Sequence, residues 1–279
     1  MTMAVGAFLA LLVALQGTVE RLTMPAPALH ARHRTVRVYL PPSYFRPEAA
    51  TRRYPVITLL HGWPGSDGDW FRKAKAAAVA DSMIVSSEIP EVILVCPNGA
   101  GPWYIRRSLY VNSHDGRFRM EDYIVHDVVA WTDSMFRTRA EPSQRGILGL
   151  SDGASGALNL GFRHPLVFGA VGGHSGRYRL RKGIGMGFAI GSGPAAARRL
   201  VLMSPTLEAA RLAPSLKGQT IYFDVGLGDG ELADNRALHR LLDSLNVAHT
   251  YREYPGGHTW TYWHRHMHDS LIALTARMW

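Results

Sequence analysis

Apolar positions along the chain follow two periods in alternation. Residues 56–60 (VITLL) and 92–96 (VILVC) are unbroken apolar runs, the pattern of strands buried on both faces. Residues 34–40 (RTVRVYL) instead alternate and stop at Pro41-Pro42, as an early strand does. Between such runs lie helical stretches. Residues 70–82 carry Ala76, Ala77 and Ala78, and 121–136 place Tyr123, Ile124, Val128, Trp131 and Met135 near one face. Further strands are predicted at 147–150, 167–171 and 220–225, and further helices at 154–162, 232–245 and 261–278. This alternation predicts an α/β fold with a mostly parallel central sheet. No helical pattern falls between Val19 and Leu40, which predicts an antiparallel start. Two connections stand out. Residues 100–119 are aromatic and polar (Trp103, Tyr104, Tyr110, Asn112, His114), and a connection of that length is usually functional or disordered. Residues 177–205 are rich in glycine and read as an insertion or lid-like loop. No G-x-G-x-x-G joins a strand to a helix there, which argues against a dinucleotide site.

Composition narrows the classes. With 279 residues, 47% apolar and 19% charged, the chain buries a sizeable core, and disorder is excluded. No internal repeat is found, and 17–279 reads as a single domain. The lone cysteine, Cys96, rules out an internal disulfide framework and a multi-cysteine zinc site. It sits in an apolar run and reads as a buried structural thiol. The net charge of +9 is carried almost wholly by arginine, in scattered pairs such as Arg52-Arg53, Arg106-Arg107 and Arg198-Arg199. No basic run with interleaved aromatics is present, so the charge reads as a solvated surface and no nucleic-acid partner is expected. Residues 3–15 (MAVGAFLALLVAL) are continuously apolar. They are too short to span a bilayer but match a signal-peptide core. No Lys or Arg precedes them, and Val13-Ala14-Leu15 is a poor cleavage site. Residues 1–16 are read as a leader segment directing an extracytoplasmic location, with a cytoplasmic protein and a misassigned start as the alternative. No other segment predicts a membrane span.

The sharpest motif is Gly149-Leu150-Ser151-Asp152-Gly153, G-x-S-x-G directly after an apolar strand and before a helical stretch. A serine on such a turn has a strained backbone, and flanking glycines let strand and helix pack closely. The helix N-terminus then lies beneath a developing oxyanion. The competing reading is a glycine-rich turn with a helix-capping serine. A serine nucleophile needs a base, and the base an orienting acid. Gly256-Gly257-His258 offers the histidine in a glycine-flanked loop before the last helix. Asp229 follows the strand at 220–225 and is the candidate acid, with Glu231 and Asp224 as rivals. The amides of Asp152 and Trp63 (in His61-Gly62-Trp63) are the candidate oxyanion donors; Pro64 has no N–H. The Asp152 carboxylate beside an oxyanion is unfavourable, so it must point away, pair with a cation or define an unusual site.

These stretches resemble the esterase D / antigen 85-like esterase family of α/β-hydrolases. That family includes feruloyl, acetyl-xylan and enterochelin esterases, S-formylglutathione hydrolases and mycolyltransferases. The resemblance rests on VRVYLPPSY (36–44), YPVITLLHGWPGSDGDW (54–70), EDYIVHDV (121–128), GLSDGASGAL (149–158), GDGELADNRAL (228–238) and YPGGHTWTYW (254–263). It implies a three-layer fold with helices on both faces of the sheet. It places the family nucleophile on Ser151, its acid on Asp229, its histidine on His258 and its oxyanion donors on Trp63 and Asp152. It departs from the family at Asp152, where methionine is usual, and at Trp63, where a further glycine is usual. The implied activity is hydrolysis of a small-molecule carboxylic ester through an acyl-enzyme, with no cofactor and no metal. An oxygen ester is favoured over S-formylglutathione. Acyl transfer of the mycolyltransferase type and a catalytically silent binding module are the alternatives. Oligomeric state is left open.

Other candidates are weaker. Trp103, Tyr104, His174 and Trp260 are read as lining a substrate pocket. Trp263, at the start of the last helix, reads as packing. His264 and His268 fall at i, i+4 on that helix, but no H-E-x-x-H and no convincing carboxylate complete a metal set.

Overall fold

The computed structural model describes residues 16–102, 107–181 and 186–279, with Arg32 described by its backbone alone. The leader at 1–15 lies outside them, as do Trp103 and Tyr104, so these two pocket candidates receive no placement. Among the described residues eight strands form one sheet: β1 (Thr18–Ala26), β2 (Ala31–Leu40), β3 (Val56–Leu60), β4 (Ile93–Pro97), β5 (Arg145–Leu150), β6 (Ala170–His174), β7 (Thr220–Gly226) and β8 (Thr250–Tyr254). Their order is β1-β2-β4-β3-β5-β6-β7-β8. β1, β2 and β4 pair antiparallel, and every pair from β4 to β8 is parallel. The early antiparallel start is therefore present.

Alternation along each strand assigns its side chains to the two faces. Val38, Leu40, Val56, Leu60 and Ile147 enter one core. Tyr39, Ile57, Leu59, Leu148 and Leu150 enter the other. Helices cover both, which is why the central strands read as unbroken apolar runs. The first core is covered by α2 (Met120–Asp122 continued by a π-helical stretch Tyr123–Val128 and Val129–Met135), α3 (Asp152–Arg163), α5 (Pro205–Leu216) and α6 (Leu232–Ser244). The second is covered by α1 (Ala76–Val85) and α7 (Trp260–Thr275). Cys96 is fully buried in this second core, and burial pushes its thiol pKa well up, in keeping with an inert thiol. No helix among the described residues is long and apolar enough to cross a membrane.

Several elements differ from expectation. The helix predicted at 70–82 is two helices, Asp69–Arg72 and α1, broken where Lys75 takes a positive φ of 55°. The region 177–205 is partly ordered helix. Gly187–Ile190 and α4 (Pro194–Leu202) pack with Leu109, Val111 and Leu180 as a small separate core. α5 carries Pro214 inside it, which hides it from a periodicity search, and β8 is a half-buried edge strand whose polar TYREY gives no apolar run. The shift with most consequence is β6, which starts three residues later than the predicted 167–171. Val167 and Phe168 close a turn onto the His164 carbonyl after α3, and pairing begins only at Gly146 opposite Ala170. That shift carries His174 out of the loop and into the sheet.

Candidate active site

The carboxyl ends of β3, β5, β6, β7 and β8 open on one edge of the sheet, where ligand sites of such sheets form. The turn after β5 is tight. A Cβ at Gly149 would lie 2.0 Å from the Gly153 carbonyl oxygen, and one at Gly153 would lie 2.2 Å from that of Leu60. Only glycine fits at either position, so β5, β3 and α3 meet at backbone contact. Between them Ser151 is held at φ 54°, ψ −122°, a strained conformation for a residue with a side chain. The Ser151 N–H is fixed by the His174 carbonyl at 2.9 Å.

The two loops carrying the other candidates are joined through their backbones. Leu227 N–H donates to the Tyr254 carbonyl and Gly228 N–H to that of Gly256, both at 2.8 Å. Asp229 and His258 are thereby set face to face. His258 Nδ1 lies 3.0 and 3.2 Å from the two Asp229 carboxylate oxygens, and its Nε2 lies 2.8 Å from Ser151 Oγ. A carboxylate only accepts, so Nδ1 carries the proton and Nε2 is free to take one from the serine. The Asp229 hydrogen bond raises the pKa of His258 against the opposing effect of burial. Burial would raise Asp229, but bonds from His258, the Glu231 amide and the Ser175 hydroxyl hold it below the usual carboxylate value.

The rival acids have other partners. Glu231 forms a two-pronged ion pair with Arg177. Asp224 is fully buried in β7 opposite His174, and their side chains bond at 2.8 Å. Asp224 also accepts from Tyr222 and Tyr262. His174 is 0% exposed, so its assignment to a substrate pocket is corrected: the later start of β6 buries it. Trp260 is half-buried, edge-on to Trp263, with the Lys73 ammonium over its ring. Trp263 is buried as expected and sits edge-on to the His258 ring. The histidines of α7 do not converge. His264 bonds the Ala74 carbonyl, His266 stacks on Tyr254, and His268 pairs with Glu88.

The loop after β3 runs against the nucleophile. A Cβ at Gly62 would lie 3.1 Å from Ser151 Cβ. The loop is fixed by three bonds: His61 Nδ1 to the Gly62 carbonyl (2.8 Å), the Gly99 N–H to His61 Nε2 (2.9 Å) and the Tyr110 hydroxyl to the His61 carbonyl (2.8 Å). Burial lowers the His61 pKa, which suits this neutral donor–acceptor role. The Asp152 amide opens α3, where first-turn N–H groups lack partners within the helix.

The roles of three contributors escape sequence reasoning. Arg107 clamps the Asp152 carboxylate with two bonds of 2.6 Å while its guanidinium lies over the exposed Trp63 ring. The charge at Asp152 called for a cation; only the fold shows which one. Ser175, fully buried at φ 56°, donates to Asp229 and accepts from Trp263 Nε1 at 3.1 Å. Tyr110 has no sequence signature beyond being aromatic.

This strand order, with a serine on a strained turn after β5 and histidine and acid loops after β8 and β7, is the α/β-hydrolase fold. The family profile described as "Putative esterase" matches residues 28–274, and the chain belongs to that family. It is 27% identical over 247 residues to Esterase Rv1288 of Mycobacterium tuberculosis, covering 80% of this chain and 52% of the relative. It is 27% identical over 160 residues to an endo-1,4-beta-xylanase/feruloyl esterase of Xylanibacter ruminicola, covering 56% of this chain and 21% of that one. The chain thus spans about half the length, or less, of these relatives. A solved ferulic acid esterase superposes with a TM-score of 0.83 at 25% identity, covering 94% of this chain and 99% of that one.

Proposed function

We propose that the chain is a serine carboxylic-ester hydrolase that works through an acyl-enzyme. The observation that carries it is the 2.8 Å contact of His258 Nε2 with Ser151 Oγ, on a histidine oriented from its other nitrogen by Asp229. Ser151 Oγ attacks the ester carbonyl as its proton passes to His258 Nε2. The imidazolium is stabilised by Asp229. The tetrahedral oxyanion is stabilised by the amides of Trp63 and Asp152, and Arg107 neutralises the Asp152 carboxylate, which would oppose it. His258 then gives its proton to the leaving alcohol; it next takes a proton from water as the hydroxide adds to the acyl carbonyl, and passes that proton to Ser151 Oγ as the acid is released. The exposed Trp63 and Leu227 and the half-buried Trp260 offer apolar surface near these residues, which supports oxygen esters with an aryl or short acyl group. The feruloyl and ferulic acid esterases among the similar proteins support the same class.

The test is a fluorophosphonate probe together with hydrolysis of p-nitrophenyl acetate, p-nitrophenyl butyrate and methyl ferulate. Labelling that maps to Ser151 and turnover that vanishes in Ser151→Ala support the reading. No labelling, with equal background rates in both proteins, overturns it in favour of a silent binding module.

A further inference from the structure

A second cluster of ligating side chains lies at the opposite end of the sheet. His239 and Asp243 stand one turn apart on α6, at i and i+4, and His249 returns beside them just before β8. The His249 side chain is 3% exposed and its ring stacks on Phe223 at 5.7 Å. Its Nδ1 donates to the Val247 carbonyl at 2.8 Å, which fixes the tautomer and leaves Nε2 with a lone pair. That lone pair faces His239 Nδ1 at 2.8 Å. The His239 ring is in turn stacked on Tyr251 at 4.6 Å. Its Nε2 lies 3.4 Å from one Asp243 oxygen, and the other oxygen lies 3.9 Å from His249 Nε2. Among the described residues no lysine or arginine pairs with Asp243. Three groups able to ligate a cation converge here, their ligand atoms all within 4.8 Å of one another.

We propose that His239, Asp243 and His249 form a site for a divalent transition metal of the zinc class. Two imidazoles and one carboxylate suit that ion, which takes nitrogen and oxygen ligands at about 2.0–2.2 Å and accepts water as a fourth ligand. The metal replaces the proton shared by the two rings. Tetrahedral ligation needs the two nitrogens about 3.3 Å apart, so the outer ligands must move by a few tenths of an ångström. His239 and Asp243 are 35% and 60% exposed and free to do so, while His249 is the fixed anchor. The bound ion ties the end of α6 to the start of β8. α6 follows the Asp229 loop and β8 precedes the His258 loop, so the ion clamps the unit that holds both without touching either. Its role is structural, and it acts on stability.

The experiment is calorimetric titration of the EDTA-stripped full chain with ZnCl₂ at neutral pH, with melting temperature read in parallel. One ion per chain with a dissociation constant in the micromolar range, and a melting temperature that rises with zinc, are expected. Asp243→Asn, at an exposed position that leaves folding intact, weakens binding at least tenfold, as does His239→Gln. His268→Gln, on α7, leaves it unchanged. Absence of saturable binding below 100-fold that concentration overturns the proposal. So does binding that survives Asp243→Asn and His239→Gln, or that falls with His268→Gln.

Discussion

Two Ser–His–Asp chains run through this molecule, and their hydrogen bonds are nearly the same. In one, Ser151, His258 and Asp229 are linked at 2.8 Å and 3.0 Å. In the other, Ser270, His174 and Asp224 are linked at 3.1 Å and 2.8 Å. The difference lies in what surrounds them. Ser151 projects from a strained turn at the mouth of the sheet, beside unpaired helix amides, and the His258 side chain is 40% exposed. Ser270, His174 and Asp224 are all 0% exposed. Ser270 also has the Met267 carbonyl in hydrogen-bond reach at 2.9 Å, and Asp224 is saturated by two tyrosine hydroxyls. A hydrogen-bonded triad is thus not sufficient for chemistry. It needs a substrate-accessible serine and donors aimed where charge will develop. The buried chain fastens β6 and β7 to α7 instead.

The serines give the widest separation. Ser151→Ala is expected to lower kcat on p-nitrophenyl butyrate by ~10⁴-fold or more. Ser270→Ala is expected to keep kcat within about threefold and to cost about 1 kcal/mol in urea unfolding, one buried hydrogen bond. Comparable losses of turnover in the two variants would erase the distinction.

The acids come next. Asp229→Asn is expected to cost ~10⁴-fold in kcat, because His258 loses its orienting acceptor. The pH profile carries the sign. His258 must be neutral to act as base, so activity is lost as pH falls through its folded pKa. Asp229 raises that pKa, so the acid limb of the wild type lies above the ordinary imidazole value of about 6.5 and moves down in Asp229→Asn. Asp224→Asn breaks a buried pair instead. It is expected to cost about 3–5 kcal/mol of stability and to leave the limb of the folded protein in place.

Arg107→Ala leaves the Asp152 carboxylate unpaired beside the oxyanion, and about a 10–100-fold loss in kcat is expected. Adding Asp152→Asn should recover most of it; a double variant as slow as the single would show that Arg107 acts in another way. Smaller still is Ser175→Ala, with about a 2–10-fold loss in kcat. Removing a donor from Asp229 strengthens its hold on His258, so the acid limb should move up, opposite to Asp229→Asn. A purely structural role for Ser175 would not move the limb. The smallest effect is expected for Glu231→Gln, within about twofold in kcat, since its carboxylate serves Arg177. A loss there as large as in Asp229→Asn would reverse the choice of acid.

Much of this was legible in the residues. The unbroken runs at β3 and β4 announce a sheet covered on both faces. G-x-S-x-G announces the turn, because close backbone contact leaves room for glycine alone. Ser151, His258 and Asp229 follow from chain order and loop position. β8, α4 and α5 were not legible. An edge strand has no two-sided burial to mark it, and α5 contains a proline. The misplaced β6 shows how one register error propagates: starting the strand three residues early moves a buried cross-strand histidine into an imagined pocket.

What the sequence by itself determined is therefore whatever short-range sterics and periodicity encode: the α/β alternation, the elbow and the order of the site-bearing loops. The fold decided the partners. That Arg107 answers Asp152, that Ser175 links Trp263 to Asp229, that Glu231 belongs to Arg177, and that His174 meets Asp224 and Ser270 all depend on residues 45 to 96 positions apart being brought together by the fold. Charge and hydrogen-bond complementarity are pairwise, and a linear chain does not state its pairs. Which of the two Ser–His–Asp chains is open to solvent was decided by burial, a property of the packed sheet and its helices.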